Sequence, residues 1–200
     1  MKHEFSRISL RVRHFDGTVQ ATPEWTSPQR ISVIGTSGSG KTTLAREISQ
    51  LLAIPHVQLD YLYWEPNWVE VRNDVFQKRV SQALSGNTWV VDGNYSMVRD
   101  IVWGRADTIV WLDYSLSVVI SRLVWRTFQR VVKKQEVCNG NRETWKTTFS
   151  RDSIILWALQ TYYKNRRQYS LLLKKPEYAH LNIVHLRSPE EAQNWLSLIH

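Results

Sequence analysis

From Arg30 onward, short apolar runs alternate with stretches whose apolar residues recur every three or four positions. Ile31-Ser32-Val33-Ile34 is the first run, and it stops at Gly35. Behind it, Leu44, Ala45, Ile48, Leu51 and Leu52 fall on one face of a helix. Four further strands are predicted at 56–60, 88–92, 108–113 and 181–186. A long helix is predicted over 115–134, with Val118, Val119, Leu123, Val124, Val131 and Val132 on its buried side. A polar break follows at 138–143, and then a second helical pattern that ends at Lys164-Asn165-Arg166-Arg167. Ser188-Pro189-Glu190-Glu191 opens the last helix as a capping box with proline in its first turn. Short apolar strands separated by helices imply an α/β fold, a parallel sheet buried between two helical layers. Residues 1–29 stand apart as an N-terminal extension from the domain at 30–200. There Ile8 to Arg13 alternates in a strand period, and Asp16-Gly17 is a tight-turn dipeptide. A β-hairpin and a proline-bounded linker fit that segment, and so does a frayed leader.

Composition narrows the class. Two hundred residues, 42% hydrophobic and 22% charged, describe a globular chain with room for a full core. The lone Cys138 forms no intrachain bridge and no multi-cysteine zinc site, which suits a reducing, cytoplasmic setting. No apolar run approaches the ~18 residues of a membrane span, and the basic N-terminus carries no apolar core of a signal peptide. The net charge of +8 calls for an anionic partner: nucleic acid, phospholipid or a nucleoside phosphate. The excess is local. Residues 122–175 hold thirteen Lys and Arg against Glu136, Glu143 and Asp152, which is +10.

The candidate chemistry begins at Gly35-Thr36-Ser37-Gly38-Ser39-Gly40-Lys41-Thr42, which fits G-x-x-x-x-G-K-[ST] between a strand and a helix. Glycines in such a loop turn backbone N–H groups inward around phosphates, and the helix N-terminus adds positive potential. Lys41 is expected on the β- and γ-phosphates and the Thr42 hydroxyl on Mg²⁺. Thr43 completes the binding set, and it stands where a dinucleotide fingerprint needs Gly or Ala. ATP with Mg²⁺ is therefore the expected cofactor pair. Asp60, Asp92 and Asp113 each close a predicted strand, the end that faces the ligand crevice in such sheets. Asp92 is preferred over Asp113 for magnesium. Asp60 is a candidate base for a hydroxyl acceptor, or else a helix cap. Arg122, Arg126 and Arg130 lie four apart on one stripe of the long helix. With the break and the returning helix they could close over a triphosphate as an arginine-rich lid, or form an ordinary solvated face.

Several stretches then resemble the adenylate-kinase-like group of P-loop kinases, in particular the bacterial subgroup labelled DNA topology modulation protein. They are Leu59-Asp60-Tyr61-Leu62-Tyr63-Trp64-Glu65-Pro66-Asn67-Trp68, Trp89-Val90-Val91-Asp92-Gly93-Asn94-Tyr95, Asn139-Gly140-Asn141-Arg142-Glu143 and Arg151-Asp152-Ser153. The resemblance runs from about Arg30 to the C-terminus. It implies a P-loop three-layer fold whose five parallel strands are ordered 2-3-1-4-5, with Asp92 beside the P-loop strand. It also implies that Arg122 and Arg126 reach the ATP phosphates, that Arg142 and Arg167 sit in a lid at 135–167, and that Arg187-Ser188-Pro189 lies near the adenine. The catalytic set would be Lys41, Asp60, Arg122, Arg126, Arg142 and Arg167. Adenylate kinases, however, follow the third-strand Asp-Gly with Phe-Pro-Arg, whereas here Asn94-Tyr95-Ser96 follows Gly93. The resemblance thus implies phosphoryl transfer from ATP more strongly than AMP as acceptor.

Two functions follow. One is a kinase for a small molecule, nucleotide-like or hydroxyl-bearing, held between Asp60, the segment 61–87 and Arg79 or Arg99. The other is a nucleic-acid-binding ATPase or regulator, or a kinase acting on nucleic-acid ends. Tyr61, Tyr63, Trp64 and Trp68 could stack the acceptor or form the local core of a helical cap. His56, His180 and His185 show no ligand spacing and are read as structural.

Overall fold

The strand that feeds the glycine-rich loop, β1 (Arg30–Gly35), sits at the centre of a five-stranded parallel sheet. The computed structural model describes residues 28–144 and 154–199. In chain order the helices are α1 (Lys41–Leu52), α2 (Leu59–Tyr63), α3 (Asn73–Ala83), α4 (Arg99–Arg105), α5 (Leu116–Val132), α6 (Ile154–Leu172) and α7 (Pro189–Leu196). The strands are β1, β2 (His56–Gln58), β3 (Trp64–Glu65), β4 (Val69–Glu70), β5 (Trp89–Asp92), β6 (Thr108–Leu112), β7 (Glu136–Cys138), β8 (Asn141–Arg142) and β9 (Asn182–Leu186). The large sheet runs β2-β5-β1-β6-β9. Counted within that sheet alone, the order is 2-3-1-4-5; two small antiparallel ribbons, β3–β4 and β7–β8, interrupt the numbering.

Alternation along β1 explains the two helical layers. Ile31 and Val33 turn to one face and pack with Leu44, Ile48, Val110 and Trp195. Ile34 turns to the other, against Leu59, Phe76, Trp89 and Val102. Both faces are covered, so β1, β5 and β6 are buried throughout apart from Arg30. Register then sets the site. Val33 is paired with Asp92, and Gly35 with Leu112, so the ends of β5 and β6 flank the start of the loop.

Three elements differ from their sequence readings. The second strand ends at Gln58, and Asp60 lies in the first turn of α2 rather than at a strand end. The polar break after α5 is a hairpin, β7–β8, turned by Asn139 (φ 47) and Gly140 (φ 78). Positive φ at both turn positions is the requirement that Asn-Gly meets best. A second ribbon, β3–β4, is joined by Pro66–Trp68 with Asn67 and Trp68 also at positive φ. At α7 the Ser188 cap forms, its Oγ accepting from the Glu191 amide at 3.1 Å, while Glu191 Oε2 reaches one residue past the N-cap and accepts from the Arg187 amide at 2.7 Å. The hairpin expected upstream and the Arg151-Asp152-Ser153 stretch lie outside the described residues. Among the described residues no helix is long and apolar enough to cross a membrane.

Candidate active site

The loop from Gly35 to Gly40 is a cradle that admits no side chain at its key turns. A Cβ on Gly35 would stand 2.6 Å from the Leu112 carbonyl oxygen. On Gly38 (φ +88) it would stand 2.8 Å from the Val119 oxygen and 2.9 Å from Leu123 Cβ, so the loop is pressed onto α5. The Ser39 amide donates to the Thr36 carbonyl at 3.0 Å and closes the turn. Two cations fold over it: Lys41 Nζ donates to the Thr36 oxygen at 3.1 Å, and Arg122 Nη1 to the Ser39 oxygen at 3.3 Å. Burial pushes the Lys41 ammonium down from 10.5 to about 8; Asp92 and Asp60 oppose the drop, and Arg126 adds to it. Ser39 Oγ is buried and has no hydrogen-bond partner among the described residues.

Asp92, buried at the end of β5, holds two neighbours. Thr42 Oγ1 donates to its Oδ2 at 2.6 Å, and His56 Nε2 hydrogen-bonds its Oδ1 at 2.7 Å. His56 therefore supports the carboxylate from the adjacent strand β2, a role its spacing along the chain did not reveal. Asp113 is occupied differently. Arg166 Nε lies 2.9 Å from one oxygen and His185 Nε2 2.9 Å from the other, with His185 stacked on Trp111 at 4.2 Å.

Asp60 is the centre of the opposite wall. Tyr95 Oη donates to Asp60 Oδ1 at 2.6 Å, and burial followed by the charge of Asp60 pushes the phenol well up, so it stays a donor. Lys41, Arg126 and Cys138 all feel the charge of Asp60. Burial first, and then the charge of Arg130, bring the Arg126 guanidinium down to about 10 against the opposing pull of Glu143 and Asp60. Arg126 Nε is buried with no hydrogen-bond partner among the described residues. Its neighbour Arg130 is engaged with Glu143 at 2.8 Å.

The fold thus gathers Lys41, Thr42, Asp60, Asp92, Arg122 and Arg126 around one cleft. It does not bring in the other three predicted arginines. Arg142 on β8, Arg167 on α6 and Arg187 beyond β9 are exposed, and among the described residues their side chains make no hydrogen bond or ion pair. On α6 the arginine that reaches the sheet is Arg166, one position earlier, itself exposed along its length but ion-paired with Asp113. Of the aromatic residues, Tyr63 is core, packed against Trp64, Phe76 and Tyr95 at 4.6–5.0 Å, and Trp64 meets Trp68 edge-on. Tyr61 and Trp68 stay exposed. Arg79 is spent on structure, with Nη2 on Glu65 Oε1 at 2.7 Å and Nη1 on the Leu62 oxygen.

The polar break after α5 is stitched to this wall. Asn139 Nδ2 donates to the carbonyls of Tyr61 (2.9 Å) and Trp64 (2.7 Å). Asn141 Nδ2 donates to the Glu65 carbonyl at 2.9 Å, and its Oδ1 accepts from the Trp68 amide at 2.7 Å. Short two-residue ribbons leave backbone groups unpaired, and the two side-chain amides satisfy them.

No protein-family model matches the chain, and no curated protein matches it. Among solved structures it is similar to a shikimate kinase from Bacteroides thetaiotaomicron, at 16% identity and TM-score 0.51, over 86% of this chain and 96% of that one. A gluconokinase from Sinorhizobium meliloti 1021 aligns at 20% identity and TM-score 0.47, over 86% and 94%. At such identities the likeness to the shikimate kinase is one of fold. The chain has the three-layer α/β architecture of the P-loop kinases.

Proposed function

We propose that the protein is an ATP-dependent kinase that passes the γ-phosphoryl group to a hydroxyl of a small molecule. The observation that carries this reading is Asp60: an aligned carboxylate facing the cradle lysine and Arg126 across one cleft. A phosphate acceptor is already ionised and needs no base, whereas an alcohol benefits from one. The structural likeness to a shikimate kinase supports the same reading through the fold.

The residues fit the nucleotide. The cradle is backbone where a Cβ would collide, and Lys41 is a desolvated cation that a triphosphate would compensate. Thr42 Oγ1 and Asp92, hard oxygen donors already in contact, fit Mg²⁺ directly or through its waters. When bound, Mg²⁺ would neutralise charge on the β- and γ-phosphates. Lys41, Arg122 and Arg126 bind and align the triphosphate. Tyr95 holds Asp60 by one oxygen, so the carboxylate is oriented toward the acceptor. The acceptor oxygen forms its bond to Pγ as the bond from Pγ to the ADP oxygen breaks, and the hydroxyl proton passes to Asp60. Charge neutralisation at the loose transition state falls to Arg126, whose unpaired Nε is buried at the cleft. In this reading residues 61–87 are the acceptor side and 135–167 the lid, and Asn139 and Asn141 close the two as one body.

The test is ADP release from ATP·Mg²⁺ across polyols, sugars, hydroxy acids and nucleotides. Acceptor-dependent release with at least one hydroxyl compound is expected. A folded, nucleotide-binding protein that gives no such release with any of them would overturn the reading.

A further inference from the structure

Helix α5 presents an apolar face twice. Val119, Leu123 and Val131 are buried against the body of the protein. A second stripe, Val124, Trp125, Phe128 and Val132, runs along the outer side of the same helix. It is about half exposed, Val124 at 46% and Trp125 at 63%. Val124 and Val132, expected on the buried side, stand outside it. Trp125 and Phe128 stack with ring centroids 6.1 Å apart and planes at 21°. With Ser121 and Val124 they line a shallow, open depression. Helix α6 packs on α5 and carries exposed Leu156, Trp157 and Leu159 in its first two turns. Single exposed apolar residues are ordinary, but a run of them along packed helices marks a docking surface.

Charge decides between the occupants. Neither α5 nor α6 contains an aspartate or a glutamate. Lys133 and Lys134 follow the stripe directly, and Lys164 and Arg167 stand exposed on α6. A second copy of this chain would meet the stripe with an identical surface. Those cations would then gather at the contact with no acid from either helix to match them, which disfavours association. A single-stranded nucleic acid takes cations interleaved with stacking aromatics. On α5 the arginines instead turn away from the stripe, Arg122 to the cradle and Arg130 to Glu143. An anionic lipid surface suits both features at once. Aromatic and aliphatic side chains enter the headgroup boundary, while lysines at the edge of the stripe reach the phosphates.

We propose that the outer face of α5 docks the protein reversibly on a membrane surface rich in anionic phospholipid. Trp125 and Phe128 enter the boundary, and Lys133 and Lys134 lie on the headgroups. The inner side of the same helix meets the cradle, where Val119 and Leu123 abut Gly38. Docking would therefore hold the cradle about one helix diameter, roughly 10 Å, from the lipid. The proposal does not depend on the kinase reading, because it concerns a different face of the chain.

The experiment is co-sedimentation of the full chain with vesicles of phosphatidylcholine alone and of phosphatidylcholine mixed with anionic phosphatidylglycerol. Binding to the mixed vesicles is expected to be about tenfold tighter or more, and to weaken as salt is raised. Trp125→Ser with Phe128→Ser should lower that affinity about a hundredfold. Lys133→Gln with Lys134→Gln should lower it roughly fivefold per lysine. All four side chains are outside the core, so melting temperature and affinity for ATP are expected to match wild type and report the fold. No binding to mixed vesicles, the result if another part of the chain covers the stripe, would overturn the proposal. Equal binding to both kinds of vesicle, or binding that survives either double variant, would do the same. So would a solution dimer that Trp125→Ser with Phe128→Ser dissociates, which would assign the stripe to a second copy. Oligonucleotide binding lost in that variant would assign it to nucleic acid instead. Vesicle binding as described, without phosphoryl transfer to any acceptor, would defeat the kinase reading alone.

Discussion

Lys41 holds its charge against burial, and that tension is measurable. The drop from 10.5 to about 8 is worth at most roughly 3 kcal/mol against the fold near neutral pH. As pH rises past 8 the folded chain sheds this proton while the unfolded chain keeps it to 10.5, so this contribution to stability recovers across that window. Lys41→Met is therefore expected to raise the melting temperature at pH 7 while abolishing nucleotide binding, checked by thermal unfolding with and without ATP. A variant that melts lower and still binds ATP would contradict both halves. Wild-type affinity for ATP, for the same reason, should weaken above pH 8. Tyr95→Phe removes one charge-assisted hydrogen bond from Asp60 and should lower kcat about tenfold, with ATP affinity unchanged. The lysine and its glycines were legible in the sequence because eight consecutive residues carry the whole motif. Tyr95 with Asp60, and His56 with Asp92, were not. Each pair is 35 or 36 positions apart, and only strand register brings them together.

At the scale of elements, the β7–β8 hairpin and the β3–β4 ribbon behave as one body because Asn139 and Asn141 span them. Removing both amides leaves three carbonyls and one N–H without these partners, at about 1 kcal/mol for each lost bond. Asn139→Ala with Asn141→Ala is expected to speed proteolysis within 136–142. It should also raise ATP hydrolysis by water relative to transfer, because the cleft closes less completely. Unchanged cleavage and an unchanged ratio would show that the stitch has no role in closure. Asn139-Gly140 was visible as a turn, but its docking was not. The groups that receive it are backbone atoms some 75 residues away, and a sequence does not mark which carbonyls a ribbon leaves unpaired. The same blindness applies to Arg166 and Arg167: periodicity found the helix, but which arginine faces Asp113 depends on how the helix is rotated against the sheet.

For the whole molecule, charge is the feature whose meaning changes most with the fold. Arg130 and Arg166 of the basic stretch are matched by Glu143 and Asp113, while Arg122 and Arg126 turn to the cradle and Lys41. In the proposed reading, the cationic surface nearest the site is shared with the nucleotide. Single-stranded oligonucleotide binding, followed by fluorescence anisotropy at two salt concentrations, is expected to be weak and to be displaced by ATP·Mg²⁺. Tight polymer binding indifferent to ATP would point to a separate nucleic-acid surface. The sheet order came from the sequence only through its resemblance to the adenylate-kinase-like group, because periodicity finds strands without saying which are neighbours. The two ribbons escaped notice because strands of two or three residues carry no periodicity.

The most direct measurement follows the γ-phosphoryl group itself. Labelled ATP·Mg²⁺ is mixed with the acceptor that gives the highest ADP release, using wild type and Asp60→Asn. The label should appear on the acceptor hydroxyl, and the variant should lose about 10²- to 10⁴-fold in transfer rate at unchanged ATP affinity. Transfer by Asp60→Asn at the wild-type rate, or label released only to water by the wild type, would contradict a kinase built around Asp60.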